Sequence, residues 1–415
     1  MKKSTLVLTV LFLSHYFSYG QDALSQQSHE RLFQTGLDLL SHHEYGSAYK
    51  IFGDFLAIYP LSDYRKADAE YYHAFCAINL YHANGEKLLE NYIASYPLYP
   101  KAITALYDLA NFFYAEKNYP KASRYFSGVD FSSLSGEQQN TGRFRWGYSL
   151  FSQKKLKEAL DQFNAIKGGG GQYGPAASYY AGFIESSDGD YQNALIDLKR
   201  AETNNSYATI VPVMIANVYY KQKDDAELLK YSEAVLAREN TSSVDEISLL
   251  AGETYFRKQN YQKALILYKE YLDNHEKNAD RGVLYRAGFS AFTSGSDEQA
   301  LDYLKSSASD GDSVGVYASY ALGLLYLKRQ EKPLALTAFE ITKNFKKDLR
   351  LAEESLFQSA KINYDLGRPD VAINEFETHL KDYPRSLHAQ EIKELLSQAY
   401  VNATNYNKAI EYIEA

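Results

Sequence analysis

The feature that most constrains the fold is a small residue that recurs along the chain at a nearly constant spacing. Eleven positions are separated by intervals of 33 to 40 residues, and nine of the eleven are alanine. In chain order they are Ala48, Leu88, Ala122, Ala159, Ala194, Glu227, Ala264, Ala300, Ala335, Ala372 and Ala409. A period of about 20 to 50 residues is typical of stacked repeats, in which each unit buries its apolar face against the next. The sequence therefore predicts a single repeat architecture.

Two further series keep a fixed offset from these positions. A small residue lies twelve positions earlier, at Gly36, Cys76, Ala110, Gly147, Gly182, Gly252, Gly288, Gly323, Ala360 and Ser397. A bulky residue lies four positions later, at Phe52, Tyr92, Phe126, Phe163, Leu198, Tyr231, Tyr268, Leu304, Phe339, Phe376 and Ile413. Residues four apart share one face of a helix. Each repeat is thus predicted to be two helices, with the glycine of the first touching the alanine of the second.

Proline usage and the connections support helices. The chain has only nine prolines in 415 residues, and proline disrupts a helix interior. An Asn or Asp precedes a Tyr between the two helices of several repeats, at Asn118, Asp190, Asn260 and Asn405. Because Asn and Asp side chains accept hydrogen bonds from the first free backbone N–H groups of a helix, we expect these residues to cap the second helices.

The combined spacing resembles the tetratricopeptide repeat, with Pro60, Pro100 and Pro384 at the proline position of that motif. The best copies are LLAGETYFRKQNYQKALILYKEYL and YASYALGLLYLKRQEKPLALTAFE, which start at Leu249 and Tyr317. The resemblance covers residues 29–415, with weak second and sixth copies. It implies an all-α, right-handed superhelical solenoid of about eleven helix-turn-helix repeats, whose first helices line the concave side.

The resemblance places two first-helix positions in the concave groove, three residues before and four after the small residue. The predicted binding residues there are Tyr107, Tyr114, Phe144, Tyr179, Phe256, Tyr285, Phe292, Tyr320, Phe357 and Tyr364. Tyrosine combines apolar area with a polar tip, which suits an extended peptide or a flat sugar. The alternative is that these rings only pack neighbouring repeats. A carboxylate clamp is not expected, because only Asn111 follows its small residue as the motif requires and no matching basic partner is apparent in the next repeat.

The first twenty residues have the layout of a secretory signal peptide. Two lysines after Met1 precede the apolar run TLVLTVLFL. The small residues Ser18 and Gly20 lie at positions −3 and −1 before a cleavage site at Gln21. We expect residues 1–20 to be removed, 21–28 to form a short lead-in, and the chain to be exported to the periplasm or outer membrane of a Gram-negative bacterium. The chain ends at Ala415 within a predicted second helix, which favours a truncated sequence or further repeats.

Composition and motifs argue against several function classes. The net charge of −8 and the absence of a Lys/Arg run make nucleic acid an unexpected partner. Cys76 is the single cysteine and falls in the small-residue series, and the glycine run 168–171 lacks the Lys-Ser/Thr of a phosphate loop. No catalytic, metal-binding or cofactor-binding constellation stands out, so we predict a non-enzymatic protein without a cofactor.

The leading functional prediction is an interaction scaffold of the cell envelope that binds an unidentified protein or peptide. Residues Glu375 to Tyr412 resemble the repeats of periplasmic proteins that serve outer-membrane assembly and the Tol-Pal machinery. Two alternatives stay open. One is a glycan- or nutrient-binding surface protein, and the other is the regulatory repeat region of a larger protein.

Overall fold

A computed structural model describes residues 27–58, 65–169, 171–238, 244–309 and 311–414. Within these ranges all regular secondary structure is helical, which confirms the predicted all-α fold. The predicted signal peptide (1–20), residues 21–26 of the lead-in and Pro60 lie outside the described residues. No helix in the described ranges has the length and apolar character needed to cross a bilayer.

The chain divides into two compact units, Met1–Ala201 (unit 1) and Glu202–Ala415 (unit 2). The helices that begin in unit 1 are α1 (27–41), α2 (Tyr45–Ile58), α3 (Lys66–Asn79), α4 (Gly85–Ser95), α5 (Pro100–Ala115), α6 (Tyr119–Phe126), α7 (Gly136–Ser152), α8 (Leu156–Asn164), α9 (Tyr173–Asp188) and α10 (Tyr191–Glu202). Each odd-numbered helix carries a residue of the small series, and each even-numbered helix carries the alanine and bulky series. The helix-turn-helix period is therefore as predicted.

Unit 2 repeats the same arrangement. Its helices are α11 (Val211–Gln222), α12 (Asp225–Leu236), α13 (Val244–Arg257), α14 (Tyr261–His275), α15 (Arg281–Thr293), α16 (Asp297–Ser307), α17 (Ser313–Lys328), α18 (Lys332–Thr342), α19 (Leu349–Asp365), α20 (Pro369–Asp382), α21 (Ala389–Asn402) and α22 (Tyr406–Glu414). Within each unit, helices that follow one another in the chain pack together, for example α2 with α3, α7 with α8 and α13 with α14. This nearest-neighbour packing is what repeat proteins rely on.

Where the small residue of a first helix is glycine, the bulky residue of the second helix packs directly against it. A Cβ added at Gly36, Gly147 or Gly323 would lie only 2.7 to 2.8 Å from the ring of the phenylalanine sixteen residues later. Leucines take the same place opposite Gly182 and Gly288 at 2.7 Å. The expectation that each glycine chiefly meets the alanine is thus wrong. The fully buried alanine lies one helical turn before the bulky residue. At these glycines the ring is close-packed, so there is room for the glycine hydrogen atom and not for a Cβ.

Three positions of the sequence series depart from the pattern. Leu88 and Glu227 are only half-buried, whereas the next residues, Leu89 and Leu228, are fully buried. In α4 the close approach is made instead by Gly85, whose added Cβ would lie 2.7 Å from the backbone of Ile78. In these two helices a leucine, at Leu89 or Leu228, is buried where other repeats bury an alanine. The buried face is therefore shifted by one residue, which is a rotation of roughly 100° about the helix axis. Ile413, predicted as a buried bulky residue, is 70% exposed.

The turn within each repeat joins a left-handed residue to a capping side chain. The backbone N–H groups of Lys121, Asn193, Lys263 and Lys408 each donate to the side-chain oxygen of the Asn or Asp three residues earlier, at 3.3 Å. All four predicted caps are therefore confirmed. The residue before each cap has a positive φ, between 56° and 84° at positions 117, 189, 259 and 404. Only one of these four residues is glycine, so the other turns carry backbone strain.

Candidate functional site

All ten predicted groove residues lie on first helices. Tyr107, Tyr114, Phe144 and Tyr179 belong to unit 1, and Phe256, Tyr285, Phe292, Tyr320, Phe357 and Tyr364 belong to unit 2. Tyr107 and Phe357 are buried, and the other eight are half-buried. These side chains therefore contribute to packing between helices, and eight of them also keep part of their surface accessible to a partner.

In unit 1, neighbouring rings on three successive first helices, together with Tyr119 at the start of α6, form one continuous patch. We call it the unit 1 aromatic surface; it consists of Tyr114, Tyr119, Phe144, Tyr148, Phe151, Tyr173, Tyr180 and Phe183. The Tyr148 ring lies at its centre, 6.0 Å from Tyr114, 5.6 Å from Tyr119 and 5.6 Å from Tyr180 between ring centroids. Further members extend the patch through spacings of 4.9 Å for Phe144 and Tyr173 and 5.7 Å for Phe151 and Phe183.

The rings of the unit 1 aromatic surface are held by one another and are only partly accessible. Seven of the eight are half-buried, and Phe183 is exposed. Edge-to-face and offset-stacked pairs at these spacings are favourable and restrict ring motion. A rigid, partly apolar surface with tyrosine hydroxyls can bind a ligand with little loss of side-chain entropy.

A positive charge lies beside this surface without an acidic partner. The Arg145 guanidinium donates to Asn111 Oδ1 at 2.6 Å and lies 5.4 Å from the centroid of the Tyr114 ring. Arg145 makes no ion pair with a carboxylate in the part of the chain that the structure describes. Burial raises the pKa of Tyr114 to about 12, so its phenol remains a neutral hydrogen-bond donor near pH 7. Burial likewise raises the pKa of Tyr107.

This contact corrects one expectation from the sequence. Asn111 was expected to have no basic partner in the next repeat, but Arg145 lies 34 residues later on α7 and hydrogen-bonds it directly. The relevant position is two residues before the small residue Gly147, whereas the sequence reasoning considered other positions of the motif. A one-repeat offset between an amide and an arginine was the available signal.

Unit 2 has a smaller version of the same arrangement. Phe256, Tyr261 and Phe289 are mutually 5.4 to 6.1 Å apart, in the repeat positions that Tyr114, Tyr119 and Tyr148 take in unit 1. Tyr285 extends this group, 6.0 Å from Phe289, and burial raises the Tyr285 pKa to about 12. We call these four residues the unit 2 aromatic surface.

The charges beside the two surfaces differ. At the positions equivalent to Asn111 and Arg145, unit 2 has Glu253 and Arg286, which form an ion pair at 2.7 Å. The Tyr268 hydroxyl also donates to Glu253 at 3.1 Å. The carboxylate neutralises Arg286, so the uncompensated charge of Arg145 has no counterpart at this pair of positions in unit 2.

The remaining predicted residues serve packing. Tyr320 lies 5.9 Å from the Phe339 ring, and Phe292 packs against the same core cluster. Phe357 stacks on His388 at 3.9 Å, and the Tyr364 hydroxyl accepts a hydrogen bond from Asn402 at 3.2 Å. In unit 1, the Tyr179 ring lies 5.2 Å from the Tyr180 ring.

Several members of the aromatic surfaces were missed by the sequence reasoning. Tyr148, Phe183 and Phe289 directly follow the small residue of their first helix. Each contacts the ring four residues after the small residue of the preceding repeat, in the pairs 114–148, 151–183 and 256–289. An aromatic residue directly after the small position, paired with one in the preceding repeat, would have identified them.

Reactive side chains are sparse in the described ranges. They contain no group of three His, Cys, Asp or Glu residues placed to hold a metal ion. Cys76 is fully buried, and burial raises its thiol pKa to about 12. A thiol with that pKa is a weak nucleophile near pH 7 because almost none of it is ionised.

Comparisons with known proteins gave one matching family model and several solved structures of low sequence identity. No curated protein has a significantly similar sequence. A structure of MamA is 19% identical, covers 41% of this chain and 88% of its own, and has a TM-score of 0.36. The structure of YrrB, described as a TPR protein with an unusual peptide-binding site, is 16% identical, with coverages of 47% and 97% and a TM-score of 0.38. A tetratricopeptide repeat protein from Parabacteroides merdae is 14% identical, with coverages of 62% and 98% and a TM-score of 0.37. A family model described as tetratricopeptide repeat matches residues 214–279, so this segment is similar to that repeat.

Proposed function

We propose that this chain is a non-enzymatic scaffold that binds an extended peptide segment of a protein partner on the unit 1 aromatic surface. We further propose that it acts in the envelope of a Gram-negative bacterium. The peptide would lay apolar side chains against the rings centred on Tyr148 and bring an acidic group to Arg145.

The observation that carries the proposal is the uncompensated Arg145 beside a continuous set of tyrosine rings. A half-buried guanidinium normally has a carboxylate partner, as Arg286 has in unit 2. Arg145 instead has the neutral Asn111, which orients the guanidinium without cancelling its charge. A partner carboxylate would complete the arrangement with charge-assisted hydrogen bonds, which are stronger than neutral ones.

The envelope location rests on the amino-terminal sequence. Residues 1–20 combine a positive start, a nine-residue apolar run and small residues before Gln21, as a cleaved export signal does. Fractionation of cells that express a carboxyl-terminally tagged chain tests it. We expect the mature form, shortened by residues 1–20, in the periplasmic or outer-membrane fraction. A full-length tagged chain in the cytoplasm would overturn the location but not the binding proposal.

The binding proposal is tested by selecting peptides from a random twelve-residue library displayed on phage. Selected peptides should contain aromatic or aliphatic residues together with Asp or Glu. Arg145→Gln and Tyr148→Ala should each weaken binding of the selected peptides by about tenfold, since charge-assisted hydrogen bonds and buried rings each contribute about 1–3 kcal/mol.

Arg143→Gln is the matched control. Arg143 lies on the same helix and also makes no ion pair within the described part of the chain, but its guanidinium donates to Gln162 at 3.0 Å and lies 4.7 Å from the Phe131 centroid. This variant should bind the peptides as the unaltered protein does. Equal loss in Arg143→Gln and Arg145→Gln, or no loss in either surface variant, would refute the proposed site.

A further inference from the structure

A cavity of about 170 Å³ lies in unit 2 between α12, α13 and α14. Most of its lining is apolar: Leu229 and Leu236 come from α12, Ala251 from α13, and Ile266 and Leu267 from α14. None of the ten predicted groove residues lines it, and neither aromatic surface includes a residue that does. It is therefore a separate feature of the tetratricopeptide segment.

The size of the cavity matches one aromatic ring. A protein cavity of about 150 Å³ with aliphatic walls accommodates a molecule of benzene. The mouth is open to solvent, because Ile266 at its edge is 63% exposed and Glu233 and Lys263 are exposed as well. Moving an apolar ring from water into such a site is favourable by about 25 cal/mol per Å² of surface buried.

One polar group in the lining lacks a partner. Ser232 is 1% exposed, and its Oγ makes no hydrogen bond with any described residue. Other buried serines in this chain avoid that cost, since Ser149, Ser319 and Ser355 each donate to the carbonyl four residues earlier at 2.6 to 2.8 Å. A buried hydroxyl without a partner costs about 1–3 kcal/mol. A ligand hydroxyl at this end of the cavity would remove the cost.

Tyr255, the aromatic residue of the lining, is held in place by Lys263. The Lys263 ammonium lies 5.1 Å from the centroid of the Tyr255 ring and 3.3 Å from its hydroxyl oxygen. A cation over the ring and a hydrogen bond to its hydroxyl both favour the observed position. Tyr255 therefore forms a wall of the cavity and leaves its interior free for a ligand.

We propose that this cavity is a binding site for a single phenol ring. The ring would contact Leu236, Ala251 and Leu267, and the phenol hydroxyl would hydrogen-bond to Ser232 Oγ after rotation of the serine about its Cα–Cβ bond. A free phenolic compound and the tyrosine side chain of a bound peptide share this chemistry.

The test compares 4-ethylphenol with ethylbenzene, using ligand-observed NMR titrations of the full chain. An apolar cavity alone would favour ethylbenzene, which is the more hydrophobic compound. We expect 4-ethylphenol to bind about fivefold to tenfold more tightly, because only it can pair with Ser232. Ser232→Ala should abolish that preference while ethylbenzene still binds.

Matched variants separate this site from general effects. Ser290 is also fully buried with an unpaired Oγ but does not line the cavity, so Ser290→Ala should leave the preference intact. Ala251→Leu should fill the cavity and prevent binding of both compounds. If Ala251→Leu fails to fold, Ile266→Asp provides the test instead. It alters only the exposed mouth of the cavity and should weaken the binding of both compounds.

The source of the ring is resolved with N-acetyl-tyrosine amide. Binding of this compound as tightly as 4-ethylphenol would assign the site to a peptide tyrosine, and binding of 4-ethylphenol alone would assign it to free phenolic compounds. Stronger binding of ethylbenzene by the unaltered protein, or unchanged binding by both cavity variants, would overturn the proposal. The outcome is independent of Arg145 and Tyr148, which lie in unit 1.

Discussion

Replacing Gly147 by alanine tests whether a glycine is needed to seat the buried ring of each repeat. A Cβ at this position would lie 2.8 Å from Phe163 Cε1 and 3.1 Å from two further ring atoms. Phe163 is fully buried, so its ring cannot move away without displacing its neighbours. Overpacking of this kind costs about 1–3 kcal/mol. The better helix propensity of alanine offsets about 0.5–1 kcal/mol of that cost.

The same chain limits how large the penalty can be. In two other repeats an alanine already faces a phenylalanine sixteen residues later, at Ala110 with Phe126 and at Ala360 with Phe376. Helix pairs built around that combination therefore tolerate it. For Gly147→Ala we expect a net loss of about 0.5–2 kcal/mol of folding free energy, below the full overpacking cost.

Gly53→Ala supplies the matched control for this prediction. Gly53 lies inside α2 of the same unit, and an added Cβ would meet only the His73 ring, with Nε2 at 3.4 Å and Cδ2 at 3.6 Å. This variant should gain about 0.5–1 kcal/mol. Urea unfolding by circular dichroism gives the two changes, and hydrogen exchange of α7 and α8 locates the loss. If Gly147→Ala proves at least as stable as Gly53→Ala, the packing argument is wrong.

Three other changes should alter stability measurably. Gln259→Gly should stabilise by about 0.5–1 kcal/mol in urea unfolding, since Gln259 has a φ of 58°, and Gly295→Ala at the equivalent turn should destabilise by a similar amount. Burial and the nearby Asp197 raise the pKa of Glu185, so the folded state favours its protonated form and this contribution to stability is lost as the pH rises above the ordinary carboxyl range. Glu185→Gln should therefore raise the melting temperature at pH 8 and not at pH 4.5. Burial lowers the pKa of His379, and neither ring nitrogen has a hydrogen-bond partner at bonding distance among the described residues. The folded state therefore disfavours the protonated ring, and stability should fall as the pH drops below about 6.5. His379→Phe should remove that fall in melting curves taken between about pH 5 and 7.

The helix pairs could be predicted from the sequence because every repeat needs residues of similar size at the same packing positions. Ala122, Ala264 and Ala335 are fully buried at the same position of three different repeats, and a single chain then shows the period without an alignment. The caps at Asn118 and Asn260 were predictable for a similar reason, since few side chains can satisfy a helix start. The left-handed residues before the caps were harder to predict. Glycine indicates the left-handed conformation at Gly189 and Gly295, but lysine or glutamine occupies the equivalent position in several other repeats.

The sequence was less informative about the surface, where the requirement is pairwise. Tyr114 was predicted from a helix position alone, whereas its role depends on Tyr148 and Arg145 in the next repeat. Such pairs differ from repeat to repeat, so no period exposes them. The ring contacts in the structure were needed to place Tyr180 in the aromatic surface beside Tyr148.

The comparison of Asn111–Arg145 with Glu253–Arg286 shows where the repeat leaves room for function. Both pairs join the residue after one small position to the residue two before the next, and neither pair includes the glycine or the ring that closes its repeat. Exchanging Asn for Glu at this place therefore changes the charge beside the aromatic surface without changing the packing that forms it. Binding specificity in such a chain can vary from one repeat to the next while the fold stays constant, and the proposed peptide would detect this difference as the uncompensated charge of Arg145.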